Sequence, residues 1–217
     1  MSRHSDKARE ALLDAAEELY ARHGIDAVSN RKITEYAGTA NHSAIKYHFG
    51  SREQLLREMV QRAVDDAKSY RERMVSNSQS AHPSLRELVT LFTLPLVYSF
   101  QALPSPSWRA QFLSQARQHP DLAMQLSELL GEEVRRENVL GQSPRELENI
   151  PEVVVTSRAK ILGPMLLGLC AEYERSVNAG EQRGNWESVG YFLVDSAVGM
   201  LAAPSTVPAD FMDFIQR

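Results

Sequence analysis

The chain has 217 residues, 43% of them hydrophobic and 24% charged, with a formal net charge of −4. That length suits one medium domain, or a small domain joined to a larger one. The single cysteine, Cys170, excludes an internal disulfide and a cysteine-based zinc site, and reads as a small buried apolar residue. No apolar run looks long enough to cross a bilayer. The N-terminus, MSRHSDKAREALLDAAEE, lacks the apolar centre of a signal peptide. The expected setting is therefore cytoplasmic, with no membrane partner.

Nearly every segment reads as helix, which makes the fold class all-α. The first helix spans Arg9 to His23, with Ala8, Leu12, Ala15, Ala16 and Leu19 on one stripe and Gly24 closing it. Ser29 is a plausible N-cap for a second helix from Asn30 to Ala37, in which Ile33 and Ala37 share a face. Gly38 can take the left-handed conformation that ends it. A third helix follows from Asn41 to Phe49, with Ala44 or Ile45 and Phe49 inward and the polar side chains outward. Ser51 and Gln54 open a fourth helix that carries Leu55, Met59, Ala63 and Ala67 and decays into SNSQSAHP at 76–83.

A capping box, Ser84 with Glu87, opens an apolar helix in which Pro95 predicts a kink. A short helix with Trp108, Phe112 and Ala116 comes next, then one from Asp121 to about Leu140. Ser143-Pro144-Arg145-Glu146 marks another helix start. In the penultimate helix Val155, Ala159, Leu162, Leu166, Leu169, Tyr173 and Val177 follow a 3–4 spacing, Ile161 and Met165 add a second apolar face, and Gly163-Pro164 predicts a bend. The last helix lines Trp186, Val189, Leu193, Ala197 and Met200 along one side, with Ser196 and Gly199 small beside them, and ends at Pro204. A helix apolar on two faces needs two partners. One can be the chain's own core and the other a second copy, which predicts a homodimer built on Leu162, Leu166, Leu169, Leu193, Ser196, Gly199 and Met200.

The second and third helices, SNRKITEYAGTANHSAIKYHF at 29–49, form a helix-turn-helix pattern. The third has the width to enter a DNA major groove, and its side chains could reach base edges and phosphates. Candidate DNA contacts are Ser29, Arg31, Asn41, His42, Ser43, Lys46, Tyr47, His48 and Arg52. The negative net charge is unevenly spread. Residues 1–62 hold 10 basic and 9 acidic side chains, residues 63–217 hold 14 and 19, and residues 39–50 hold no acid. A few phosphate contacts per subunit, sensitive to salt, fit that footprint. Arg52 stands at a helix start, where a cation opposes the helix dipole, and hints at an anion nearby. His42 and His48 are six apart and fall on different helical faces, a poor metal pair. No metal or cofactor is expected.

An apolar helix ending HGIDAVS, then the helix-turn-helix, then YHF and FGSREQLLREMV, resemble in that order the N-terminal domain of the TetR-like (tetracycline-repressor-like) transcription regulators. The resemblance covers about residues 8–62. The turn GTAN is one residue longer than the commoner family form. The resemblance implies a three-helix DNA-binding domain over residues 1–50, with the start of the connecting helix to about 62, and a larger helical body over 51–217 for effector binding and dimerisation. It implies a homodimeric repressor on a palindromic double-stranded operator, released by a small molecule. The helices carrying Phe92, Tyr98, Trp108, Phe112, Met124, Met165 and Tyr173 correspond in order to those enclosing the family's effector pocket, so an apolar or aromatic effector is expected there. The same residues also fit an ordinary core. Gln115, Arg117 and Glu172 could add polar recognition or simply face water. No CxxC, HExxH or GxGxxG motif, and no recognisable Ser-His-Asp arrangement, supports an enzyme. A helical adaptor that has lost DNA binding is the other alternative, and Lys46, Tyr47 and Arg52 speak against it.

Overall fold

The computed structural model describes residues 3–39, 41, 43–76, 83–122, 126, 144–181 and 185–205. Among the described residues there are eight α-helices described end to end, one 3-10 turn, and further helical residues at 120–122 and 126. They are α1 (Arg3–His23), α2 (Asn30–Tyr36), α3 (Ala44–Phe49), α4 (Arg52–Ser76), α5 (Leu85–Gln101), α6 (Arg109–Ala116), the 3-10 turn Arg145–Leu147, α7 (Glu152–Asn178) and α8 (Trp186–Ala202). The expected helix from Asp121 to Leu140 lies almost wholly outside the described residues.

Local chemistry accounts for most of the boundaries. The Gly24 amide reaches the Tyr20 carbonyl at 2.9 Å, with φ at +92°. That left-handed turn ends α1 where a glycine was expected to end it. Ser29 accepts from the Lys32 amide at 3.2 Å and caps α2. The reciprocal capping box of Ser84 and Glu87 is fully formed at α5. The Ser-Pro-Arg-Glu signature yields only the 3-10 turn. Its Glu146 carboxylate accepts from the Leu85 amide at 3.2 Å and so tethers the start of α5.

One continuous core runs from α1 through α3 and α4 into α5, α6, α7 and α8, from Leu12 and Ile45 to Phe112, Cys170 and Leu193. A second cluster joins Leu85, Val89 and Leu94 of α5 to Val194, Ala197 and Leu201 of α8. Both prolines sit inside unbroken helices. Pro95 has no N–H, so the carbonyl of Leu91 loses its helical donor. The buried Arg71 of α4 donates Nε to that carbonyl at 3.4 Å.

The inner face of α7 is Val154, Ser157, Leu167, Cys170, Ala171 and Glu174. This is rotated from the apolar row expected to face inward: Ser157 and Glu174 are both buried, and Glu174 is held there by Ser107, Ala110 and Gln111. By length and composition α7 is also apolar enough to cross a membrane, with a mean hydropathy of 1.5 over its best window. The expectation that no such run exists is therefore corrected. In the fold this helix packs on α6 and α8.

Close approach of α5 and α8 depends on Gly190. A Cβ there would lie 2.6 Å from Leu94 Cδ2 and 3.2 Å from Val97 Cγ1. Overpacking of this kind costs about 1–3 kcal/mol. Gly190→Val should lower unfolding stability by about that amount in urea titration; an unchanged midpoint would show that the helices separate freely.

Candidate nucleic-acid interface and its coupling to the body

Helix α3 buries Ala44, Ile45 and Phe49 against the head. Its other side is polar. Lys46 is exposed and Tyr47 is 76% exposed, with the half-buried His48 ring edge-on to Tyr47 at 4.8 Å. The helix is shorter than expected. Asn41 and Ser43 form the turn before it, where Asn41 Oδ1 accepts from the Ser43 amide at 2.9 Å. That Asx turn replaces the expected first helical turn, since Asn favours local bonds over helix. His42 lies outside the described residues. On α2, Ser29 uses its hydroxyl as the cap, and Arg31 pairs with Glu35 at 2.7 Å while remaining exposed.

Arg52 points elsewhere. Its guanidinium donates to the carbonyls of Val28 at 2.6 Å and Ile25 at 2.5 Å, and to Asn30 Oδ1 at 3.2 Å. It also lies 5.1 Å above the Tyr20 ring. Burial pushes the Tyr20 phenol up to about 12, so the ring stays neutral. The anion suggested by Arg52 is thus replaced by two carbonyls of the α1–α2 loop and the Asn30 amide oxygen at the start of α2. Arg9 of α1 completes the brace, pairing with Glu58 and lying 5.1 Å over the Phe49 ring.

Residues 12–59 match the family of bacterial regulatory proteins called the tetR family. The N-terminal domain belongs to the TetR family. It is the helix-turn-helix DNA-binding domain of those regulators. The fold as a whole is also theirs. A TetR-family transcriptional regulator from Rhodococcus sp. aligns at 18% identity and a TM-score of 0.52, over 90% of this chain and 99% of its own. PfmR, a TetR-family regulator from Thermus thermophilus, aligns at 20% and 0.51, over 86% and 96%. One from Marinobacter aquaeolei aligns at 18% and 0.51, over 92% and 98%. At these identities the likeness is one of fold. No curated protein matches the sequence.

The TetR-type domain meets the body at the first turn of α6. Arg109, 2% exposed, donates Nε to Glu17 of α1 at 2.5 Å and Nη1 to Asp66 of α4 at 3.0 Å. From the other side Glu174 of α7 accepts the amides of Ala110 at 3.3 Å and Gln111 at 2.9 Å, and the Ser107 hydroxyl at 2.9 Å. A carboxylate there complements the positive end of α6. Burial raises both carboxyls above their ordinary range, against the pull of Arg109 on Glu17 and of the Gln111, Ser107 and Ala110 donors on Glu174. Burial and the nearby Glu174 push the Cys170 thiol up to about 12, in keeping with an inert core residue. Gln115, left open by the sequence, donates to the Ala21 carbonyl at 3.0 Å and closes α6 onto α1. Glu172 pairs with Arg175 on the surface. Arg117 sits partly buried beside Gly163, and burial lowers its pKa.

Of the residues expected to line an effector pocket, Phe112 belongs to the main core cluster, Trp108 and Tyr173 pack against it, and Tyr98 packs against the second. Phe112 is fully buried and stacked on Tyr20. Tyr98 packs on Tyr70, and Phe92 is partly exposed beside Arg71. Tyr173 stands edge-on to Trp186, its hydroxyl accepting from the Asn185 amide. Met165 is half-buried, and Met124 lies outside the described residues. Of these residues only Trp108 lines the larger groove found, which is at the junction of α1, α2 and the α5–α6 loop.

The expected dimer residues divide between inside and outside. Leu193 is buried in this chain's own core, and Leu162 and Leu166 lean on the two core clusters. Leu169 and Gly199 are exposed, and Ser196 and Met200 half-buried. Sequence reasoning left out Tyr191 and Phe192, which are exposed, Phe192 to 60%; Ile161, placed on the second apolar face of α7, is 54% exposed. The neighbouring Gly190 was the available signal, since it fixes which side of α8 meets α5.

Replacing Arg52 with Met keeps the stem but strands the Val28 carbonyl and leaves that of Ile25 with only the 3.5 Å bond from the Val28 amide. Each unsatisfied group costs about 1–3 kcal/mol. The Arg52→Met variant should melt earlier, while the slope of log K against log salt for DNA stays that of the parent. A flattened slope with unchanged melting would make Arg52 a phosphate contact instead.

Proposed function

We propose that this protein is a homodimeric transcriptional repressor, which places one α3 per subunit in successive major grooves of a near-palindromic operator. The reading rests above all on the outer face of α3. Lys46, Tyr47 and His48 stand on the side away from the core, within a stretch, 39–50, that contains no acid. Ser29, Arg31, Asn41 and Ser43 lie at the two helix starts beside it, exposed to solvent. Cationic and hydroxyl groups of this kind contact phosphates and base edges. Arg52 is not among the contacts in this reading; it holds the loop in front of α2.

Lys46→Ala and Tyr47→Phe should each weaken binding to selected operator DNA with little change in melting temperature. Loss of a phosphate contact should flatten the salt dependence by about one unit per contact. Parent-like binding by both variants would remove α3 as the reading helix.

The division into a DNA-binding head over residues 1–50 and a body over 51–217 belongs to the same proposal, with α4 spanning both. The proposed dimer uses the outward sides of α7 and α8. Their support is the row Ile161, Met165 and Leu169 with Phe192 and Gly199, apolar or small and turned away from the chain's own core. Exposed apolar side chains gathered on one helix face are the surface that interaction sites use. A charge buried at such an interface without a partner costs several kcal/mol. Phe192→Glu should therefore run as a monomer in sedimentation velocity at micromolar concentration, with helical circular dichroism retained. A parent protein that is itself monomeric would exclude the dimer.

In this reading a small apolar or aromatic effector, bound in the body, favours a dimer geometry whose two α3 helices no longer fit the groove spacing. To do so it must bind that state better by a few kcal/mol.

A further inference from the structure

The outer side of α3 and the turn before it are one-sided in the hydrogen-bonding groups they offer. Residues 39–50 contain no Asp, Glu or Gln, so neither a carboxylate nor a glutamine carbonyl is there to accept. The stretch holds one Asn, and its acceptor is engaged: Asn41 Oδ1 takes the Ser43 amide at 2.9 Å. That Asx turn aims the oxygen at its own backbone and leaves Nδ2, with two N–H groups, on an exposed side chain. Lys46, exposed on the outer side, can only donate. The hydroxyls of the exposed Ser43 and Tyr47 each carry a proton to give. The Thr39 hydroxyl is turned back onto the Thr34 and Asn41 carbonyls at 3.3 and 3.4 Å. His48 is half-buried with its ring against Tyr47. Among the described residues, the exposed polar surface of this stretch is therefore dominated by donors.

The bases differ in what they show in the major groove. Guanine presents two neighbouring acceptors, N7 and O6. Adenine sets an acceptor beside an amino donor, thymine has one acceptor and a methyl group, and cytosine shows a donor. An asparagine specifies adenine by accepting from N6 and donating to N7 at once. Asn41, with its oxygen closed into the Asx turn, is not set up for that pair. Reading cytosine takes a side-chain acceptor such as a carboxylate, and the stretch has none. The base edge that best matches a face of donors is that of guanine.

We propose that α3 selects guanine, with Lys46 donating to N7 and O6 of a guanine in each half-site and Asn41 acting beside it as a donor alone. The inference rests on α3 being the reading helix, and it adds the base chemistry of the operator to that reading.

The test starts with selection of duplexes from a random pool by the intact protein. Each guanine of the selected half-site is then replaced in turn by 7-deazaguanine, which keeps the base pair and O6 but carries C–H in place of N7. At one guanine or more per half-site the parent should lose about tenfold or more in affinity, the scale of one good base contact. Lys46→Ala, titrated at low salt so that weakened binding stays measurable, should bind the normal and the 7-deaza duplex within about twofold of each other. Selected half-sites with no guanine on either strand, indifference of the parent to every 7-deaza change, or full sensitivity retained by Lys46→Ala would each overturn the inference. Specific binding in those cases would still uphold the DNA-binding reading. Selection of no duplex at all would sink the repressor reading, and this inference with it.

Discussion

Arg109 is a cation at the positive end of a helix, and the arrangement of the whole protein depends on how that is compensated. A buried guanidinium at the start of α6 adds to the field of the free amides there. Three carboxylates answer it, and each comes from a different helix. Glu17 brings α1, Asp66 brings α4, and Glu174 brings α7 onto the same turn. Burying charge is costly, and only good geometry with several hydrogen bonds offsets the cost. The sites where these helices meet are therefore specified by charge as well as by packing. Asn178 adds to the join, exchanging hydrogen bonds with Ser107 across the same gap.

This joint explains why head and body are not loosely strung. Leu12, Ile45 and Met59 belong to the same apolar cluster as Phe112, Cys170 and Leu193. A small three-helix head has limited core of its own. Here it borrows apolar surface from α6 and the helices behind it. Packed side chains and ion pairs thus run without a break from α6 and α7 to the head. Within the head, Arg52 and Arg9 tie the loop, α3 and α4 together, so α3 follows α4 as one piece.

Much of this was readable in the sequence, for physical reasons that differ by region. Caps and turns were legible because they are local: Ser29, Gly38, Ser84 and Glu87 act on residues three or four away. The head was legible because its signatures are dense and ordered. The side of α3 that faces inward followed from Ala44, Ile45 and Phe49 alone. Roles set by distant partners were not legible. Arg52 and Arg109 are both arginines in a first helical turn, and both oppose the dipole. That anomaly flags a partner without naming it, and the partners prove to be carbonyls in one case and carboxylates in the other. The inner side of α7 was misjudged because periodicity counts apolar residues, whereas Glu174 is buried through polar contacts. Leu193 was assigned outward because an apolar helix offers two similar rows, and only the packing of Gly190 on Leu94 and Val97 separates them.

The bond from Arg71 to the carbonyl freed by Pro95 links two positions 24 residues apart in their tolerance to change. A proline in a helix interior usually destabilises by about 3 kcal/mol, so its removal ordinarily helps. Here an alanine at 95 would return the Leu91 carbonyl to the helix ladder and withdraw one acceptor from a buried guanidinium. The benefit at one site is opposed by a loss at the other. The acceptor that Arg71 uses is thus set by a residue four places further along a different helix.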